Sequence, residues 1–190
     1  MFEKKGAVRL DADTLAHEAI EKGKVPYRNV VRFFGKGILR KDGSIDRGKL
    51  ARVVFKNKKK LEALNAQVHP YVIRRIREEI RKTLRRRRSA FIVVEVPLLH
   101  EEHLSGMVNK VLTVSCKMSV QGRRWLKQGK HLKELQERRA SQLPLSYKEK
   151  HSDFIIDNSG TIRKTETQVN RIWKVITNEQ RKGKRWQSKK

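Results

Sequence analysis

The chain has 190 residues, with 47 lysines and arginines against 20 acidic residues and a formal net charge of +27. That length suits one domain with a sizeable core, and runs such as Phe91-Ile92-Val93-Val94 demand burial, which excludes a disordered chain. No apolar run reaches the roughly 18 residues of a membrane-spanning helix, and Met1–Lys5 lacks the apolar stretch of a secretory signal. The single Cys116 excludes an internal disulfide and a cysteine-based zinc finger, so the chain reads as cytoplasmic, with no membrane partner.

In chain order, Ala7-Val8-Arg9-Leu10 reads as a strand ending at Asp11-Ala12-Asp13, followed by a helix through Leu15, Ala16, Ala19 and Ile20. Pro26 opens a second helix that stops near Phe33-Phe34-Gly35, and Gly37 to Ser44 is a turn region centred on Asp42-Gly43. Asp46 is the expected N-cap of a helix carrying Leu50, Val53 and Val54. A helix from Lys58 to Val68 and another opening at Pro70 follow, the second with Ile73, Ile76, Ile80 and Leu84 on one face and bases on the other. Phe91 to Val96 is a buried-type strand broken at Pro97, and Val111 to Cys116 is another. Helices are expected over Met118 to Lys127 and Leu132 to Gln142, closed by Pro144. Asp153 to Ile156 is a last strand, and a final helix carries Val169, Ile172, Trp173 and Ile176. Strands alternating with helices argue for a parallel α/β sheet.

A basic chain first suggests polyanionic partners: nucleic acid, phosphorylated small molecules or an anionic surface. A phosphate loop needs glycines for close backbone approach, a lysine for the β- and γ-phosphates and a hydroxyl for the metal. Gly43 to Leu50 comes near this pattern, but Leu50 has no hydroxyl, no strand precedes Gly43, and Asp46 would set a carboxylate among phosphates. That segment reads instead as a turn and a helix cap. Asp11 and Asp13 end the first strand, where two carboxylates two residues apart on extended backbone share one face. At the carboxyl end of a parallel strand that face looks into the ligand crevice. One of them then accepts a hydroxyl proton while the other orients substrate or metal-bound water; alternatively, one merely caps the next helix.

The order of motifs resembles the dephospho-CoA kinase family. The matching pieces begin with Asp11-Ala12-Asp13-Thr14-Leu15-Ala16-His17, then Asp42-Gly43-Ser44-Ile45-Asp46-Arg47 with Lys49-Leu50, Val54-Phe55 and His69-Pro70. They continue through Val96-Pro97-Leu98-Leu99 with Glu101, Arg138 with Gln142 and Pro144, and Asp153 to Gly160. The resemblance runs from about Phe2 to Ile176. It implies an α/β P-loop kinase-like fold: a three-layer parallel sheet with a helical substrate-binding insertion over 26–88 and a helical lid over 118–145. Residues 1–178 form that domain and 179–190 a basic tail. It also implies ATP-dependent, Mg²⁺-assisted phosphorylation of the ribose 3′-hydroxyl of dephospho-CoA, the last step of coenzyme A synthesis, with ATP and dephospho-CoA as partners.

By the same resemblance Asp13 matches the general base on that hydroxyl, and Asp11 matches a substrate orienter that meets Mg²⁺ through water. Pro97, Leu98 and Leu99 match the lining of the acceptor pocket, although a plain strand-ending turn also suits the leucines. His69 and Arg74 fall in the substrate-binding insertion, where a helix-start role is the alternative for His69. Arg124, Arg138 and Gln142 match the lid over ATP, Arg138 offsetting developing phosphoryl charge, and Asn158 matches the loop beside the adenine. Two positions depart from the family: Glu95 stands where Asp is frequent, and Gln128 where a second lid arginine is frequent.

The family begins with an apolar strand and a glycine-rich loop ending in Gly-Lys-Ser/Thr, followed by a helix. Phe2 to Ala7 matches only the end of that helix. The first strand and phosphate loop, about 20 residues with most of the helix, are therefore expected to be missing, with the flanking strands roughly 10 Å apart. This chain is expected to bind ATP poorly and turn over little. The alternative function is a non-enzymatic RNA- or ribosome-associated protein on a degenerate kinase scaffold, drawing on Arg85-Arg86-Arg87-Arg88 and the basic tail. No RNA-binding signature supports it, and aromatics make up only 6 %, so nucleic acid contact is expected to be nonspecific at most. The six histidines show no metal-ligand spacing, and neither oligomeric state nor the role of the tail is legible.

Overall fold

In the computed structural model, residues 1–54 and 57–182 are described, and they form four strands, eight α-helices and three short 3-10 turns of helix. Phe55, one of the residues carrying the resemblance, and residues 183–190 of the basic tail lie outside the described residues. The chain divides into two compact units, Glu3–Pro97 and Met1–Phe2 with Leu98–Lys190.

The first unit begins with β1 (Val8–Asp11), helix α1 (Ala12–Ala19) and helix α2 (Val25–Phe34), whose second residue is the expected Pro26. Gly35 ends α2 at φ 78°, a conformation open to glycine. The Asp42-Gly43 turn forms as read: Gly43 takes φ 79°, and the Asp42 carboxylate accepts from the Ser44 amide at 2.9 Å. Asp46 caps α3 (Arg47–Val54), its carboxylate accepting from the Lys49 amide at 3.0 Å. The near-match to a phosphate loop is thus a turn and a cap.

Helix α4 (Lys58–Arg86) overturns the expected break before Pro70, because one helix of 29 residues runs through it. Asn57 caps its start, accepting from the Lys60 amide. Pro70 has no N–H for the carbonyl one turn back, a defect of about 3 kcal/mol in an isolated helix. Burial of Val68, Tyr71, Val72 and Ile76 around it supplies the packing that holds the helix across the proline. His69 consequently lies inside a helix, which removes the helix-start reading. Strand β2 (Ile92–Glu95) then pairs parallel with β1, Val8 opposite Ile92 and Asp11 opposite Glu95. Ile92, Val93 and Val94, expected to be buried, are half-buried.

The second unit contains β3 (Leu112–Ser115), α5 (Met118–Leu126), α6 (Leu132–Ala140), α7 (Leu145–Lys150), β4 (Phe154–Asp157) and α8 (Ile162–Arg181). Strands β3 and β4 are parallel, with Leu112 opposite Phe154. Ile156, Val169 and Ile172 form its buried cluster, with Phe2, Leu112, Phe154 and Ile176 packed on it. Pro144 does not simply close a helix but opens α7, where its fixed φ suits the N-cap position. Helix α8 continues to Arg181, so residues 179–181 of the expected basic tail are helical.

All four strands pair in parallel, as read, but they form two ladders, β1–β2 and β3–β4. The further strand that the resemblance sets in this sheet is not among the described residues. Within the first unit, Glu18 of α1 binds α4: it accepts from the Tyr71 hydroxyl and pairs with Arg75 at 3.5 Å and Lys24 at 3.5 Å.

The Tyr71 hydrogen bond is the largest influence on the Glu18 carboxyl, and with Arg75 and Lys24 it outweighs burial to hold the group below its ordinary value. The folded state therefore favours the carboxylate. Its stabilisation is present above the unfolded glutamate pKa of about 4.3 and is lost as pH falls through the lower folded value. Glu18→Gln is expected to cost about 1–2 kcal/mol at pH 7, with the gap to the unsubstituted chain closing below pH 4. Urea unfolding followed across pH checks this, and a pH-independent gap contradicts it.

Candidate active site

The carboxyl edge of β1 is built around Asp11. Its Oδ1 accepts from the Asp13 amide at 2.9 Å and the Thr14 amide at 3.2 Å, capping α1. Its Oδ2 accepts from Arg9 at 2.8 Å, and the same guanidinium nitrogen reaches Glu95 on the paired strand at 2.6 Å. The Glu95 hydrogen bond is the main cause that raises the Arg9 pKa, so this cation stays charged between the two carboxylates. Cap and ion pair thus occupy both oxygens of Asp11.

Asp13 differs from its expected setting. The strand ends at Asp11 and the helix begins at Ala12, so Asp13 sits in the first turn of α1 rather than on extended backbone. The strand-face argument for the pair therefore does not apply. The capping alternative is realised by Asp11, and it leaves Asp13 with no hydrogen bond or ion pair to its exposed carboxylate among the described residues. The first turn of a helix favours a carboxylate there through the aligned amide dipoles.

His69 and Arg74 lie on α4, which packs against α1, the helix that carries Asp13. Arg74 stacks over the Tyr71 ring at 5.4 Å and approaches Glu78 at 3.8 Å. Pro97 follows β2, two residues beyond Glu95 and at the same strand edge as Asp11. The structure brings Asp11, Asp13, His69, Arg74 and Pro97 into one unit.

Leu98, Leu99, Arg124, Arg138, Gln142 and Asn158 belong to the other unit. Leu98 and Leu99 open a tight turn in which their carbonyls accept from the Glu102 and Leu104 amides at 3.0 and 2.9 Å. Arg124 of α5 donates to the Asn158 carbonyl at 2.7 Å and the Gly160 carbonyl at 3.1 Å, so the structure joins these two sequence-chosen residues directly. The Asn158 side chain turns to α8 instead, accepting from the Thr165 hydroxyl at 3.0 Å. Arg138 on α6 pairs with Glu134 at 2.9 Å and lies over the Trp125 ring at 5.4 Å. Gln142 accepts from Lys148 at 3.2 Å.

A cavity of about 450 Å³ opens at the carboxyl ends of β3 and β4, lined by Lys117, Arg123 and Lys164 with Asp157, Ser159 and Gly160. The Ser159 hydroxyl and amide hold the Asp157 carboxyl below its ordinary value. Three cations around one carboxylate give this cavity a net preference for anions.

Sequence reasoning missed Arg9 and Lys148. Arg9 carried a signal, because it alternates with Asp11 on one face of β1. Lys148 carried none, since its partner Glu101 is distant in sequence. Among the described residues no group of three or more His, Cys, Asp or Glu is arranged to hold a metal ion. Nor is any described helix long and apolar enough to cross a membrane.

The dephospho-CoA kinase family model matches residues 1–164. A dephospho-CoA kinase of Bacillus licheniformis is 38 % identical over 173 residues, covering 90 % of this chain and 86 % of the relative. One from Aquifex aeolicus is 37 % identical over 177 residues, covering 93 % and 89 %. Among solved structures, TT1252 from Thermus thermophilus superposes with a TM-score of 0.75 at 29 % identity, covering 90 % of this chain and 86 % of that one. Dephospho-CoA kinase from Campylobacter jejuni gives 0.66 at 26 % identity, covering 94 % and 89 %. With the paired parallel strands, the match over residues 1–164 and these relatives, the chain belongs to the dephospho-CoA kinase family and is a phosphotransferase of P-loop kinase fold.

Proposed function

We propose that this chain transfers the γ-phosphoryl group of ATP to the 3′-hydroxyl of dephospho-CoA, with Asp13 as the general base. The observation that carries this reading is the contrast between two neighbouring carboxylates. Both oxygens of Asp11 already accept from the α1 amides or Arg9, whereas the exposed carboxylate of Asp13 has no partner among the described residues. A base must have a lone pair free for the proton it removes, and of the two aspartates it is Asp13 whose oxygens are both unengaged among the described residues.

In the proposed step the acceptor oxygen forms its bond to the γ-phosphorus as its proton passes to Asp13. The bond from that phosphorus to the bridging oxygen breaks, and its electron pair leaves with ADP. Arg138 faces the charge that develops on the transferring group and is pre-set by Glu134 and the Trp125 ring. Gln142 and Arg124 complete the lid, Arg124 by holding the Asn158 to Gly160 loop beside the base of ATP. His69 and Arg74 on α4 and Pro97, Leu98 and Leu99 after β2 supply the acceptor contacts. The domain is read as 1–178, with the insertion over 26–88, the lid over 118–145 and the tail from 179, acting in the cytoplasm on soluble substrates.

Mg²⁺ is the metal this reaction uses, and the donor set fits it in one way. Magnesium keeps several waters and takes few protein carboxylates when phosphates share its coordination. Asp11 fits as a residue that accepts from a metal-bound water, because direct ligation would displace the α1 cap or the Arg9 pair. When bound, the ion neutralises charge on the β- and γ-phosphates.

Asp13→Asn is expected to lower the kcat for CoA formation by about 10²–10⁴-fold relative to the unsubstituted chain, with the KM for ATP little changed. Coupled detection of ADP and 3′-phosphorylated product measures both, and an active Asp13→Asn enzyme overturns the assignment. Arg138→Lys is expected to lower kcat on the order of 10²-fold. A loss confined to KM would show uniform substrate binding rather than stabilisation of the transferring group.

A further inference from the structure

The turn after β2 and the end of the lid meet at a small polar clasp that the reaction chemistry does not use. Glu101 Oε1 accepts from the Leu143 amide at 2.9 Å and from the Lys148 ammonium at 2.7 Å. Both charged side chains are largely shielded, 14 % and 13 % exposed. Lys148 also donates to Gln142 at 3.2 Å, so one ammonium holds the residue at the lid end and the carboxylate opposite. Burial works against the Glu101 anion, but Lys148 and the amide donors together hold its carboxyl below the ordinary glutamate value.

The clasp has firm supports on both sides. Glu101 sits in a turn closed by Glu102 to Leu98, His103 to His100 and Leu104 to Leu99 amide–carbonyl bonds, with His103 in the left-handed region at φ 52°. On the other side, the Lys148 carbonyl accepts from the Ser152 hydroxyl at 2.7 Å, and Ser152 bonds at 2.6 Å to Thr113, a buried residue of β3. Between these supports the backbone from Ser141 to Pro144 joins α6 to α7.

We propose that Glu101 is a positioning residue that fixes the hinge of the lid by tying the Leu143 amide and Lys148 to the turn that carries Leu98 and Leu99. Arg138 lies less than two helical turns before this hinge, so its guanidinium inherits its placement from the clasp. A displacement of about 1 Å at a reacting group costs as much as 10²-fold in rate. This rests on the reading of Arg138 as the lid cation.

The test uses Glu101→Gln, which keeps an acceptor for Leu143 but loses the charge, and Glu101→Ala, which loses both. Amide hydrogen exchange over 138–150 and steady-state kinetics are read for each. Glu101→Ala is expected to speed exchange in that segment about tenfold or more and to lower kcat about 10–100-fold. The KM for dephospho-CoA should stay within about twofold, with Glu101→Gln intermediate in exchange and rate. Unchanged exchange in both variants overturns the proposal, as does faster exchange with an unchanged kcat. Faster exchange spread equally over β3 and α8 also overturns it, since that marks a general loss of stability. If Glu101→Ala does not fold, the same criteria apply to Glu101→Gln. Arg138→Ala in parallel separates the two readings: a full rate there removes the lid assignment, and the exchange data still decide the clasp.

Discussion

The carboxyl edge of the first ladder depends on a single carboxylate, that of Asp11. One oxygen closes the first turn of α1, and the other binds the guanidinium that reaches Glu95 on the neighbouring strand. Strand end, helix start and strand pairing therefore share one residue. With both oxygens engaged, Asp11 is held still, and the proposed base is the carboxylate beside it. Asp13 is placed by a bond from its own backbone amide, and its carboxylate has no partner among the described residues.

The same division of labour recurs in the second unit. Arg124 spends its guanidinium on the Asn158 and Gly160 carbonyls and so shapes the loop after β4. Arg138 instead rests on Glu134 and an aromatic face, both exposed contacts that a phosphate can displace at little cost. Arginines with similar sequence settings thus take different partners, one binding backbone carbonyls of a loop and the other only side chains. The +27 charge belongs with this picture of anionic small substrates, since it raises their local concentration without choosing among them.

Local features were legible wherever the cause was local. The Asp42-Gly43 turn, the Asp46 cap, the entry of α2 at Pro26 and its stop at Gly35 all follow from backbone geometry within a few residues. The course of α4 through Pro70 was not legible, because the helix is rescued by burial of Tyr71, Val72 and Ile76 against partners distant in the chain. Asp13 was misplaced for a related reason. Whether extended backbone ends at residue 11 or 13 turns on which carboxylate caps the helix, and the sequence offers two equivalent candidates. The Glu101–Lys148 pair spans segments with no local pattern in common.

By itself, the order of motifs determined the family and the parallel α/β class, since these rest on residue identity and spacing. Only the tertiary structure decided which of two aspartates is occupied and which is free. It also decided which arginine holds the loop after β4 and that Glu101 pairs with Lys148. Those outcomes depend on hydrogen-bond partners brought together from Arg9 and Glu95, or from Glu101 and Lys148, and such pairings exist only after the chain has folded.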